Sequence, residues 1–346
     1  MTRKIAIIGD NFMLPDVFEE KIRALCQQEL DIRKLQQPWP DEPMEHGYAQ
    51  AGMDNLKEYM GDASDIVSFI DDAEILVTQL APLSRSMFQQ LPQLKFVAVS
   101  RGGPVNIDMD AAHDHNVVVV NTPGRNASAV AEFTLGAILA ETRNIRKGHE
   151  GLRNANWQGE LYRYDKTGRE LSELTVGVVG YGNIGKRVVR LLRAFGTKVL
   201  VADPYVQLSA DDHKTGVELV ALEELLSRSD VVTMHARVTD ETRQMMNAKT
   251  FARMKNDALF VNTARGPLVN YDDLHDALAA GVIGCAMLET FAVEPVPDDW
   301  PLLSLPNVTL TPHIAGASVK TVTYAAEQVA MELDRYFKGL SAINAN

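Results

Sequence analysis

The chain has 346 residues, 46% of them apolar, and carries 34 Lys and Arg against 46 Asp and Glu, a formal net charge of −12. At roughly 100–200 residues per domain, that length suggests two domains with sizeable cores and excludes a disordered chain. The acidic balance, with no block of Lys or Arg, argues against grip on a nucleic-acid backbone. Two cysteines, Cys26 and Cys285, lie far apart in no C-x-x-C arrangement, which excludes a cysteine zinc site and fits a reducing cytoplasm.

The start, MTRKIAIIGD, holds an apolar run too short for a signal peptide and suited to a strand. A helix is expected around residues 15–29, then strands EILVTQ (74–79), LKFVAVS (94–100) and VVVVN (117–121), together a smaller α/β domain. His113 and His115, in AAHDHN, fall where a helix yields to a strand; they are solvated turn residues, and no metal site is expected. Residues 126–152, NASAVAEFTLGAILAETRNIRKGHEGL, follow as one long helical pattern, and NWQGELYRYDKTGREL (156–171) as a connection over the surface.

From about residue 173 the pattern becomes regular. TVGVVG (175–180) is a buried-type strand, followed by a helix from Asn183 to Phe195 that stops at Gly196. Strands KVLVAD (198–203), DVVTMH (230–235), ALFVN (258–262), IGCAML (283–288) and VTLT (308–311) come next, separated by helical patterns such as LEELLSRS and NYDDLHDALAAG. Apolar strands alternating with helices imply a parallel sheet covered on both faces. A final helix, VTYAAEQVAMELDRYFKG, is expected to cross back to the first domain. The longest uncharged stretch, Ala277 to Leu288, has 12 residues, short of the roughly 20 a membrane span needs, so a soluble protein is expected.

Gly180-Tyr181-Gly182-Asn183-Ile184-Gly185 matches the G-x-G-x-x-G pattern. It closes a strand, opens a helix, and is followed by Asp203 at the tip of the next strand, the context a dinucleotide fingerprint requires. The glycines allow backbone N–H groups close to a pyrophosphate at the helix N-terminus. Asp203 can accept from both ribose hydroxyls and would repel a 2′-phosphate, so NAD is expected over NADP.

Ligands of an open parallel sheet bind beyond the carboxyl ends of its strands. Arg265 follows ALFVNTA, Glu289 and Glu294 follow IGCAML in the stretch LETFAVEP (288–295), and His313 follows VTLTP. A cation, carboxylates and an imidazole thus share the edge that carries the glycine turn. Hydride transfer to a carbonyl needs a proton donor within about 3 Å of the oxygen. Imidazole serves near neutral pH, a carboxylate beside it favours its charged form and fixes its tautomer, and a guanidinium anchors a substrate carboxylate bidentately.

VGVVGYGNIG…VLVADPY, VNTARGPLVN, FAVEP and LTPHIAG, taken in order, resemble the D-isomer-specific 2-hydroxyacid dehydrogenases over roughly residues 74–335. The resemblance implies a doubly wound, parallel-sheet α/β Rossmann domain that binds NAD, residues 123–314. It is inserted into a discontinuous flavodoxin-like α/β substrate domain, residues 1–122 and 315–346, with the active site in the cleft between them. It also implies a homodimer formed largely through the nucleotide domain and its long helix.

By position, the resemblance makes Arg265 the catalytic arginine, His313 the acid/base histidine and Glu294 its partner. The expected cofactor contacts are Gly180, Gly182, Asn183, Ile184, Gly185 and Asp203, joined by His235, Ala264 and Glu289. Glu289 stands where the family carries aspartate near the nicotinamide carboxamide, and Arg237 where it usually carries proline. The substrate loop SRGGPVNID (100–108) is one residue shorter than the usual pattern, and its Pro104 lacks a backbone donor. Arg101, Gly102, Gly103 and Arg265 are the expected substrate contacts.

Arg101, and Arg125 in NTPGRNAS, are cations beyond what lactate would need, and suggest a phosphorylated 2-hydroxy acid such as 3-phosphoglycerate. The alternatives are a glyoxylate/hydroxypyruvate reductase and, from another class, a non-enzymatic NAD-sensing protein like the corepressors that share this scaffold. A regulatory domain like that of long phosphoglycerate dehydrogenases is not expected, and glutamate at position 294 counts against formate dehydrogenase.

Overall fold

In the structure, a computed structural model that describes residues 2–39, 53 and 55–346, the apolar runs become strands. The first are β1 (Arg3–Gly9), β2 (Leu30–Gln36), β3 (Ile75–Thr78), β4 (Phe96–Val99) and β5 (Val118–Asn121). Among the described residues they form one parallel sheet in the order β2-β1-β3-β4-β5, the flavodoxin-like order. β3 and β4 are buried along their whole length because helices cover both faces. The helix Pro15–Leu25 buries Phe18 and Ile22 on one face. Against it packs the C-terminal helix Val319–Phe337, whose Val322, Ala325, Ala326 and Val329 join Ile5, Ile7, Phe18 and Ile22 in one core. Ser318 starts that helix by accepting the Thr321 N–H at 3.0 Å, satisfying one of the donors a helix start leaves open.

The remaining strands are β6 (Thr175–Val179), β7 (Lys198–Ala202), β8 (Glu218–Leu219), β9 (Val231–Met234), β10 (Leu259–Asn262), β11 (Cys285–Leu288) and β12 (Val308–Leu310). They too are parallel, in the order β12-β11-β10-β9-β6-β7-β8. The chain runs outward from β6 to β8 and then returns to place β9 on the other side of β6. This reversal puts the topological switch point, where doubly wound sheets bind nucleotides, at the end of β6. The chain divides into two compact units: Met1–Asn126 with Ala317–Asn346, and Ala127–Gly316. Both are parallel α/β layers, as the apolar strands imply.

Three local expectations need correction. The single helix over 126–152 is two, Ala127–Thr142 and Ile145–Arg153, separated by Asn144 at φ 55°. Asparagine tolerates the left-handed region, and its side chain donates to the Lys166 carbonyl at 3.1 Å. The first helix ends at Leu25, four residues early, because the chain must leave it to begin β2. Finally, β2 and β8 are strands that the apolar pattern misses. Both lie at sheet edges, where one flank is unpaired and charged residues are tolerated; β2 reads LDIRKLQ.

The segment 156–171 does run over the surface, with Tyr162 96% and Tyr164 99% exposed. No helix among the described residues is long and apolar enough to cross a membrane.

Candidate active site

β6 ends in the glycine turn. Gly180 has φ 94°, and a Cβ there would lie 2.6 Å from the Ala236 nitrogen and 2.7 Å from the His235 carbonyl carbon. A Cβ on Gly185 would strike the Gly180 carbonyl, so the first and third glycines are required by close packing. A Cβ on Gly182 would meet nothing within 4 Å, which leaves the turn open on the side a ligand approaches. Helix Asn183–Ala194 begins here with no side chain capping it, so the N–H groups of Asn183, Ile184 and Gly185 stay available to an anion.

Asp203, just past β7, is held by the Tyr181 N–H at 2.8 Å on one oxygen and the Tyr205 N–H at 3.0 Å on the other. Each oxygen keeps a lone pair for a hydroxyl donor. His235 packs under the turn, its N–H donating to the Val179 carbonyl at 2.7 Å and its Nε2 lying 3.0 Å from Thr233 Oγ1. Its Nδ1 is enclosed without a hydrogen-bond partner, and burial pushes the imidazole down to about 3, so it is neutral at physiological pH. This cradle fits a dinucleotide: an open glycine face, free helix-start amides and a preset carboxylate for ribose.

At the same edge, β10 delivers Arg265. Buried Asn262 braces the turn, its Nδ2 donating to the Arg265 carbonyl at 3.1 Å and its Oδ1 accepting the Ala264 N–H at 3.1 Å. The Thr263 hydroxyl meets Thr134 of helix Ala127–Thr142 at 2.8 Å. Arg265 is exposed and donates from Nη1 to the Ala264 carbonyl at 2.8 Å. Gly266 lets this loop touch the next, since a Cβ there would strike the Phe291 carbonyl.

That next loop, after β11, carries both glutamates. Glu294 accepts the Phe291 N–H at 2.8 Å with Oε1, which fixes its carboxylate within its own loop. Its Oε2 lies 2.8 Å from His313 Nδ1. With Nδ1–H committed to this carboxylate, Nε2 is the ring atom left for chemistry. The His313 side chain is 45% exposed and that of Glu294 15%, so one ring edge faces outward while the other is anchored. His313 adopts φ 52°, a conformation that costs a non-glycine residue on the order of 1 kcal/mol and persists only when neighbours hold it.

Glu289 is 1% exposed, and burial raises its pKa. Its Oε1 accepts the Ala315 N–H at 2.7 Å. Arg265, Glu289, Glu294 and His313 therefore stand at the ends of three neighbouring strands, β10, β11 and β12.

In the first unit, the loop after β4 presents Gly102 and Gly103, and a Cβ on either would meet nothing within 4 Å. Arg101 is less available than its sequence suggests: it forms an ion pair with Glu58 and donates to the Glu58 carbonyl at 2.9 Å. Among the described residues the Arg125 side chain has one long hydrogen bond, 3.4 Å to Gln79 Oε1, and burial lowers it to about 9, which leaves it cationic at neutral pH.

Sequence reasoning missed Asp10, at the end of β1 and 1% exposed. Its Oδ1 accepts from the Phe12 and Met13 amides at 2.7 and 2.6 Å, Oδ2 is enclosed with no hydrogen-bond partner among the described residues, and burial raises its pKa. The strand-end logic that found His313 would have found Asp10 if applied to IIGDNF. His113 lies at the end of helix Met109–Asp114 and His115 caps it, with Nδ1 2.8 Å from the Ala111 carbonyl. Among the described residues no group of three or more His, Cys, Asp or Glu could hold a metal.

A family model described as "D-isomer specific 2-hydroxyacid dehydrogenase, NAD binding domain" matches residues 135–315. YoaD of Bacillus subtilis (strain 168), a protein with a 2-hydroxyacid dehydrogenase name, is 38% identical over 272 residues, 78% of each chain. A glyoxylate reductase of Korarchaeum cryptofilum is 36% identical over 79% of this chain and 82% of its own. Other relatives are named D-3-phosphoglycerate dehydrogenase and hydroxypyruvate reductase. Among solved structures, the NAD-complexed D-isomer specific 2-hydroxyacid dehydrogenase of Lactobacillus delbrueckii ssp. bulgaricus shares the fold. Its TM-score is 0.80 at 21% identity, with 99% of both chains covered.

Proposed function

We propose a reaction from one premise: the chain belongs to the D-isomer specific 2-hydroxyacid dehydrogenase family. It is an NAD-dependent oxidoreductase of 2-hydroxy and 2-oxo acids, and the second unit contains its NAD-binding domain. We assign the glycine turn, Asp203, His235 and Ala264 to the dinucleotide, and the first unit to the substrate. The hydride comes from the nicotinamide of NADH when it is bound.

In the reduction, His313 gives the Nε2 proton to the substrate oxygen as the carbonyl carbon is reduced, and takes it back in the oxidation. Glu294 holds Nδ1–H, which orients the ring and fixes its tautomer. Arg265 engages the substrate carboxylate and polarises the adjacent carbonyl, and the Gly102 and Gly103 amides receive the carboxylate as well. The observation that carries this reading is the 2.8 Å bond between His313 Nδ1 and Glu294 Oε2, with Nε2 left free on an exposed edge.

For the substrate we propose a 2-oxo acid with a distal anionic group, such as the phosphohydroxypyruvate/3-phosphoglycerate pair. Arg125 supports it, as a cation with one long polar contact. The pairing of Arg101 with Glu58 supports the second reading, a glyoxylate/hydroxypyruvate reductase, because it neutralises one of the two extra cations. NADH oxidation with glyoxylate, hydroxypyruvate and phosphohydroxypyruvate decides. A kcat/KM at least tenfold higher for the phosphorylated acid, lost in R125A, supports the first; equal or higher values for the small acids support the second. No turnover of any 2-oxo acid would overturn both.

We further propose a cytoplasmic homodimer. The dimer is supported by the apolar side chains exposed near and after the long helix: Ile145 (60%), Leu152 (59%) and Trp157 (81%).

A further inference from the structure

A carboxylate as deeply buried as that of Glu289 needs donors around it. They lie on a single turn of the chain. Oε1 accepts the Ala315 N–H at 2.7 Å, and the Glu289 carbonyl accepts the His313 N–H at 3.1 Å, a donor it shares with the Thr311 carbonyl at 3.0 Å. One residue thus takes two amides of this turn, 313 and 315, with its main chain and side chain together. This is the turn in which His313 holds its left-handed backbone. Glu294 grips the imidazole at its ring nitrogen, a bond that leaves the backbone of the turn free to relax.

We infer that Glu289 is a positioning residue for His313, clamping the backbone of residues 313–315 so that the imidazole is presented at a fixed angle. The inference rests on the proposed role of His313 as proton donor. It also accounts for a glutamate at this strand end. An aspartate is shorter by one methylene, about 1.5 Å, and would leave the Ala315 amide beyond hydrogen-bond range. In this role Glu289 serves the histidine loop, and its carboxylate is not at the disposal of the cofactor.

The test combines amide hydrogen exchange over residues 308–316 with steady-state kinetics and NADH affinity, for the wild type, E289D and E289Q. In the wild type the Ala315 amide exchanges slowly, well below the rate of an open loop. E289D removes the reach. That amide exchanges at least about tenfold faster, kcat falls by about tenfold or more, and NADH Kd stays within about twofold. E289Q keeps an acceptor oxygen at full reach, so its loss of kcat is at least about fivefold smaller than that of E289D.

A wild-type Ala315 amide that exchanges freely overturns the clamp, whatever the variants do. So does faster exchange in E289D with kcat unchanged, or weakened NADH binding with exchange unchanged, which would place Glu289 at the cofactor instead. The exchange measurement needs no substrate. If H313A retains wild-type turnover, the reading of His313 fails separately while the clamp is still decided.

Discussion

The enclosed imidazole of His235 makes a prediction whose size follows from its surroundings. Burial lowers its pKa from 6.5 to about 3 in the folded protein, while the unfolded chain keeps the ordinary value. The stability it allows is therefore fully present above pH 6.5 and is lost as pH falls through the window from 6.5 towards 3. At about pH 5 the unfolded imidazole is mostly protonated and the folded one is not, and linkage assigns this difference about 2 kcal/mol. The residue is partly exposed even though Nδ1 is enclosed, so the expected effect is about 1–2 kcal/mol after solvent screening.

The perturbation is His235→Gln, which keeps a polar group near Thr233 and does not titrate. Urea denaturation at about pH 7.5 and about pH 5 measures the drop in unfolding free energy for each protein. The buried carboxylates Asp10 and Glu289 have raised pKa values and act in the opposite sense, but both proteins carry them and their contribution cancels. The wild type loses about 1–2 kcal/mol more than H235Q across this interval. Equal losses, within about 0.3 kcal/mol, would refute the argument that the ring is held neutral beneath the glycine turn.

Arg265→Ala and His313→Ala each lower turnover by about 10²–10⁴-fold while NADH binding, followed by fluorescence, persists; wild-type rates in both would sink the mechanism. Glu294→Gln keeps an acceptor for Nδ1 but removes the carboxylate charge beside the ring, so kcat falls by about tenfold or more while NADH affinity persists. An unchanged kcat would refute that role. Gly180→Ala forces a side chain onto φ 94° and into the Ala236 nitrogen, which costs about 1–3 kcal/mol of stability and abolishes NADH binding. Retained affinity would show that the turn does not hold the dinucleotide.

The larger sheet was legible because its inner strands are apolar over most of their length, as a strand covered on both faces must be. The edge strands β2 and β8 escape the same test for the converse reason. LDIRKLQ pairs through its backbone on one flank only, and Arg33 and Lys34 satisfy themselves on Asp72 and Asp16 at 2.5 and 2.6 Å. The break at Asn144 was equally hidden. It depends on one residue turning left-handed and finding a distant carbonyl at Lys166, a partnership the periodicity of 126–152 does not record.

The site divides along similar lines. Position at a strand end is a topological property, so Arg265, Glu294, His313 and the glycine turn could be found from the order of runs and turns. What a side chain does on arrival depends on partners remote in sequence. Arg101 reads as a spare cation until Glu58, 43 residues away, is seen to accept from it. Asp10 draws no notice at the end of its apolar run until its burial is known.

Glu289 is the sharpest case. Its extra methylene has no meaning in LETFAVEP, because the Ala315 amide it reaches lies 26 positions on. On the proposed clamp, the enclosed carboxylate gives its lone pairs to that turn, and burial is what makes those bonds matter.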